Sequence, residues 1–220
     1  MSEAYRPVTT LSRTLVALLV ACGALGALGG LLGLVQGIAF PELAGLDEPQ
    51  TPAHTAMLFG VGCSAILYVA VYVATVVVFS MFTHRTCANA HALGARGMEF
   101  TPGWAVGWYF IPFMNLFKPY QAVKEMHQAL DPEAGSDDWR LLGDIPTGVG
   151  WWWAAWIVSN FLGNISTRLT FSSDPSALAI APWFDVVDGG MDVVLSVLAV
   201  IVVRSLTARQ ERKARVASFA

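Results

Sequence analysis

The 220-residue chain is 55% hydrophobic and only 13% charged, against about 25% charged residues in an ordinary globular protein. That balance argues against a soluble domain. The net charge of -3 argues against nucleic-acid binding, because no basic surface is available to displace phosphate counterions.

The first apolar segment, Thr14–Phe40, exceeds the ~20 residues that cross a ~30 Å hydrocarbon layer as a helix. Arg6 and Arg13 precede it, and Leu19-Val20-Ala21-Cys22 matches a bacterial lipobox. A signal peptide's apolar core is only about 7–15 residues long, so an uncleaved first helix is expected. Gly29, Gly33 and Gly37 recur at four-residue spacing, with Gly26 and Gly30 beside them. Small residues at that interval let helices approach closely in lipid. They serve either a homodimer seam or packing against another helix of the same chain, and a bundle needs the second in any case.

A second crossing is expected at Met57–Phe82, after a Pro- and Glu-containing loop at Pro41–Ala56. His84, Cys87 and His91 follow on one face if the helix continues. Such a set has the chemistry for Zn or haem ligation, but no fourth ligand stands near it. A hydrated helix end is the plainer account of these residues, since ligation needs a closed shell. Cys22 and Cys63 lie in apolar runs, where a small buried hydrophobe is the plain role. The three cysteines have no metal-type spacing and cannot all pair.

Gly103–Phe117 is shorter, and Pro112 interrupts it. Its Trp104 and Trp108, like Trp151, Trp152 and Trp153 further on, suit the headgroup layer, where a ring is apolar at one edge and wet at the other. Pro119–Leu130 reads as an amphipathic helix, with Tyr120, Val123, Met126, His127 and Leu130 on one side and Lys124 and Gln128 on the other. Such a helix can lie in the interface plane. Asp131–Asp144 reads as a polar, acidic linker. Two further crossings are expected at Val149–Phe171 and Pro182–Ser205, separated by the loop Ser172–Ala181, and Leu206–Ala220 as a basic tail.

The basic residues choose between four and five crossings. If Gly103–Phe117 does not cross and the N-terminus is inside, every Lys and Arg except Arg168 falls on the cytoplasmic side. If it does cross, the basic groups beyond it change sides and the bias disappears. The positive-inside rule therefore favours four crossings, with both termini cytoplasmic and Gly103–Phe117 re-entrant or in-plane.

Two stretches carry a family resemblance. One is Ala92-Leu-Gly-Ala-Arg-Gly-Met-Glu-Phe-Thr-Pro-Gly-Trp-Ala-Val-Gly-Trp108. The other is Tyr109-Phe-Ile-Pro-Phe-Met-Asn-Leu-Phe-Lys-Pro-Tyr-Gln-Ala122. Together with Trp151–Asn160 and the Val-Val-Arg-Ser-Leu-Thr-Ala-Arg-Gln run ending at Gln210, they resemble the bacterial membrane proteins grouped as domain of unknown function 4328. The resemblance covers about Thr83 to Gln210. It implies a bacterial cell-membrane location and no activity, so no catalytic residue is carried over. His84, Cys87 and His91 are not part of the shared pattern.

Two polar stripes are the most informative feature. Asn160, Asn164 and Arg168 recur every four residues, and Asp185, Asp188 and Asp192 fall at i, i+3 and i+7, so each set shares a helix face. Counted inward from the loop between them, the stripes pair in depth to within about 2 Å at ~1.5 Å per residue. Charged groups deep in lipid are costly and should face one another or water. The stripes are therefore expected to meet, either as an outward-facing acidic vestibule for a proton, cation or cationic solute, or as interhelical polar packing. Asp185-Val-Val-Asp188-Gly189 also resembles the opening of the CDP-alcohol phosphotransferase motif. Asp192-Val193 stands where Ala-Arg should follow, and two carboxylates lacking the remaining ligands make a poor metal site.

The expected protein is an all-α integral membrane protein. It is a single membrane domain with a four-helix transmembrane bundle and a Trp-rich cytoplasmic segment. The bilayer is its first partner, with a homo-oligomer or another membrane protein as a further one. No cofactor, catalytic residue or nucleic acid is expected. The leading functional expectation is a non-enzymatic protein acting through helix packing and partner contacts. The alternatives are cation- or proton-coupled permeation or sensing, and a cofactor-binding redox protein.

Overall fold

The computed structural model describes residues 5–45, 51–135 and 137–218. All regular structure among them is helical, as the composition demands. In a low-dielectric medium a helix satisfies its backbone N–H and C=O groups within one segment. The helices are α1 (Thr9–Ala39), α2 (Pro52–Ala92), α3 (Pro102–Gly107), α4 (Lys118–Ala129), α5 (Trp139–Leu142), α6 (Gly148–Thr170) and α7 (Pro175–Ala217), with tight single turns at Pro41–Gly45, Trp108–Phe110 and Met114–Leu116.

Three of these, α1, α2 and α7, are long and apolar enough to cross a membrane. α2 exposes Phe59, Ile66, Leu67, Val69, Val73 and Val77, a face that only an apolar surrounding would tolerate. α6 is also long, at 23 residues, but Ser159, Asn160, Asn164, Ser166 and Arg168 dilute its apolar character.

Several boundaries differ from the expectation. α2 runs to Ala92 and α7 to Ala217, so the expected basic tail is largely helix. The loop expected at Ser172–Ala181 is only a few residues long, because α7 starts at Pro175. Asp174 sets that start: its carboxylate accepts from the Ser176 N–H at 2.9 Å, and Pro175 supplies a preset φ at the first helical position. Pro182 then lies inside the helix. Part of the first expected loop, 46–50, falls outside the described residues.

The chain divides into two compact units, and each long helix contributes a stretch to both. The first comprises the described residues of Met1–Ala17, Thr75–Trp153 and Leu198–Ala220. Its core includes Leu15, Phe82, Val123, Met126, Leu130, Trp139, Trp152 and Val203. The apolar side of α4 is thus covered by the protein itself rather than laid on lipid. Trp152 and Trp153 are buried while Trp151 is 70% exposed. Trp152 packs near Phe79, and Trp153 Nε1 donates to the Leu116 carbonyl at 3.0 Å, so these two rings are covered by protein and only Trp151 is turned outward. Trp104 is exposed, with its ring 4.8 Å from that of Trp108.

The second unit, Leu18–Ala74 with Ala154–Val197, holds one stretch each of α1, α2, α6 and α7. At the end of α1, Phe40 sets its ring edge against His54, whose Nε2 lies 3.0 Å from Glu42 Oε1.

Candidate functional site

Within the second unit the aspartate face of α7 is surrounded by hydroxyls and glycines. The Tyr68 hydroxyl of α2 donates to Asp192 Oδ2 at 2.7 Å, and the Ser159 hydroxyl of α6 donates to Asp192 Oδ1 at 3.2 Å. The Ser166 hydroxyl donates to Asp185 Oδ1. Gly163 faces Asp188, whose Oδ1 is buried and accepts no hydrogen bond among the described residues.

α1 completes the surroundings through its glycines. A Cβ added at Gly26 would lie 2.6 Å from the Asp192 Cβ, and one at Gly33 would lie 2.7 Å from the Pro182 carbonyl and 3.0 Å from the Asp185 Cβ. Gly23 fits against Ser196 and Gly37 against the Trp183 ring, whereas Gly29 has nothing within 4 Å. The seam is therefore Gly23, Gly26, Gly30, Gly33 and Gly37, not the four-residue series through Gly29. Alternating steps of three and four average 3.5 residues and follow one stripe, whereas a constant step of four drifts around a helix of 3.6 residues per turn. The partner of the seam is α7 of the same chain, the packing alternative among the two expected for these glycines.

The two polar stripes do not meet. Asn160, Asn164 and Arg168 are exposed. Asn160 Nδ2 donates back to the Trp156 carbonyl at 2.8 Å, and Asn164 Nδ2 to the Asn160 carbonyl at 2.7 Å. The face of α6 turned to the aspartates is Ser159, Gly163 and Ser166. Small residues admit close approach, and a hydroxyl donates to a carboxylate without a second charge to desolvate. That three-four spacing was present in the sequence, but the larger polar residues beside it drew attention away. Tyr68, with Tyr72 one turn further on in the apolar stretch of α2, gave another signal.

The first unit holds a separate polar network, formed by the ends of the long helices. Asn89 Nδ2 donates to the Arg6 carbonyl and to Gln210 Oε1, each at 2.8 Å, while its Oδ1 accepts the Arg6 N–H at 3.0 Å. Lys213 donates to the carbonyls of Ala129, Asp131 and Ala134 at 2.8, 3.1 and 3.1 Å. These carbonyls lie at and beyond the end of α4, where helix carbonyls lack partners of their own. Arg209 donates to the His127 and Asp144 carbonyls and pairs with Asp131 and Asp144 at 3.1 Å each. Asp131–Asp144 is consequently no free linker: its described part is tied to α7 and buries Trp139.

Burial alone would raise the Asp131 carboxyl, but the Asp144 and Glu133 N–H groups and the Arg209 guanidinium outweigh it and hold it below its ordinary range. His127 is fully buried. Its Nδ1–H donates to the Val123 carbonyl at 3.0 Å. Burial pushes its pKa down to about 4, against the Val123 hydrogen bond and with help from Arg209.

The Zn or haem expectation loses its residues. Cys87 Sγ donates to the Phe100 carbonyl at 3.3 Å, and His91 Nε2 lies 3.1 Å from the same oxygen, while His84 is exposed. No group of three His, Cys, Asp or Glu side chains among the described residues is arranged to hold a metal ion.

A chain whose described regular structure is all helical, with three bilayer-length apolar helices and with half-buried carboxylates met by hydroxyl and glycine faces, belongs to the class of helical membrane proteins. Within that class the chain is a member of the family described as a domain of unknown function, DUF4328, whose sequence profile matches residues 48–208. The match begins before α2 and so extends the resemblance N-terminally from Thr83. Comparison with curated proteins and with solved structures gave no match.

Proposed function

We propose that this is a four-crossing protein of a bacterial cell membrane, with both termini cytoplasmic, that acts without enzymatic chemistry through helix packing and partner contacts. α6 is the fourth crossing: its 23 residues reach ~34 Å at ~1.5 Å per residue. The side assignment rests on Arg168 being the one basic residue that falls outside. Gly103–Phe117 then lies at the cytoplasmic interface. The observation that carries the packing reading is the closed setting of the aspartates, with Asp192 held by Tyr68 and Ser159 against Gly26. Each hydroxyl gives a neutral donor to an acid that would otherwise be costly at that depth.

A second reading, a proton- or cation-binding face, is favoured by one observation. Arg168 is the only Lys or Arg in the second unit, and it is exposed and bonded to none of the three aspartates. Without a facing base, their charge has to be balanced by a proton, a cation or water.

Liposomes containing the full chain and a pH-sensitive dye, under imposed proton, Na+ and K+ gradients, separate the two. The packing reading expects no flux above empty liposomes. It also expects a lower unfolding temperature for Tyr68→Phe, since that change removes one donor from a half-buried carboxylate, worth about 1–3 kcal/mol. A flux that Asp192→Asn abolishes in a folded protein sinks the packing reading and establishes the second.

A further inference from the structure

α4 carries Lys118, Gln121 and Lys124 at three-residue intervals, which brings them to one side of the helix. That side lines a groove of about 570 Å³, entirely within the first unit, to which Glu99, Glu125 and Arg140 also contribute. Most of its charges are committed. Lys118 pairs with Glu99 at 2.9 Å. Glu125 accepts the backbone N–H groups of Glu99 and Phe100 at 2.7 and 3.0 Å, and Arg140 reaches it at 3.5 Å. Lys124 has no hydrogen bond or ion pair among the described residues. With three cations against two carboxylates and one cation unpaired, the groove is complementary to an anion.

The stretch leading into α4 says which anion. Phe110, Phe113 and Phe117 are 65%, 77% and 49% exposed. Phe113 has a φ of 64°, in the left-handed region that a bulky side chain rarely adopts. A phenylalanine held there and turned outward gains nothing in water; in a headgroup layer its ring is favoured. Lys118 follows Phe117 directly in the chain, so an exposed ring and a cation of the groove are one residue apart. A free phosphate would use the cations alone, whereas a phospholipid uses both.

We propose that the groove of Lys118, Gln121, Lys124 and Arg140 binds the headgroup of an anionic glycerophospholipid, with Phe113 and Phe117 against its glycerol and acyl portion. This rests on the interfacial placement of Gly103–Phe117 and is independent of the aspartate face.

The test is native mass spectrometry of the full chain released from detergent, titrated separately with phosphatidylglycerol, phosphatidylcholine and soluble glycerol 3-phosphate. Phosphatidylglycerol should be retained several-fold better than either of the others. Lys124→Gln, which breaks no existing contact, should cut that retention about fivefold, the usual worth of one lysine near an anionic surface. Arg212→Gln removes the same charge outside the groove and should leave retention unchanged. A spin label at Phe110→Cys in reconstituted vesicles reads the placement separately and should report bilayer immersion. Equal retention of the two lipids, an unaffected Lys124→Gln, or an equal loss from Arg212→Gln overturns the site even with the label immersed. Glycerol 3-phosphate bound as tightly as phosphatidylglycerol overturns the lipid as occupant. A label in water overturns the interfacial placement and the proposal together.

Discussion

His127 illustrates how a single buried side chain couples the first unit to pH. Its ring is fully enclosed, Nδ1–H is committed to Val123, and Arg209 and Asp144 are the charged groups nearby. The folded pKa of about 4 lies below the ordinary 6.5, so between those values the unfolded chain binds more protons than the folded one. The stabilisation is complete above about pH 6.5 and is lost as pH falls toward 4. Thermal unfolding in detergent should therefore show a midpoint that declines across that window. His127→Gln should flatten the decline while lowering the midpoint at neutral pH through lost packing. Asp131, whose folded pKa is depressed, loses its contribution only below the carboxylate range, so the two groups separate along the pH axis. An unchanged slope in His127→Gln would show that the imidazole does not titrate with unfolding.

Among the elements, the α1–α7 pair makes the sharpest demand on sequence. Gly33 and Gly26 face the Pro182 carbonyl and the Asp192 side chain so closely that a Cβ has no room. Gly29, four residues before Gly33, faces open space. Gly26→Leu and Gly33→Leu should each lower stability by about 1–3 kcal/mol, the usual cost of overpacking, whereas Gly29→Leu should be nearly silent. Protease resistance of the three variants in detergent measures the difference. Equal resistance would mean that this seam does not hold the pair. Of the glycines spaced by four, Gly33 and Gly37 lie on this contact and Gly29 does not. Spacing by four is the usual signature in lipid, but the residues that touch α7 follow steps of three and four.

At the scale of the molecule, the prediction concerns sidedness. With Cys22, Cys63 and Cys87 replaced by alanine, single cysteines at Thr51 and Ser176 should react with an impermeant maleimide added to intact cells, and one at Asp137 should react only after permeabilisation. Labelling of Asp137 from outside would mean that Gly103–Phe117 crosses, and the proposed arrangement of four crossings would fail. That segment forms only six-residue α3 and two three-residue turns, each far short of the ~20 residues a crossing helix needs.

Apolar run length was enough to place α1, α2 and α7, because a bilayer-length helix depends on local composition and satisfies its own backbone. The motif around Phe100 to Tyr120 was enough to place the chain in its family. Partners were another matter. Depth counting put Asn160, Asn164 and Arg168 level with Asp185, Asp188 and Asp192, yet depth fixes height along a helix and leaves rotation about its axis open. Close packing settled that rotation, turning Ser159, Gly163 and Ser166 inward because only small side chains fit there. The clamp of Asn89, Lys213 and Arg209 was illegible for the same reason: its bonds join residues up to 121 positions apart, and only the folded chain brings a lysine to the carbonyls left unpaired at the end of another helix.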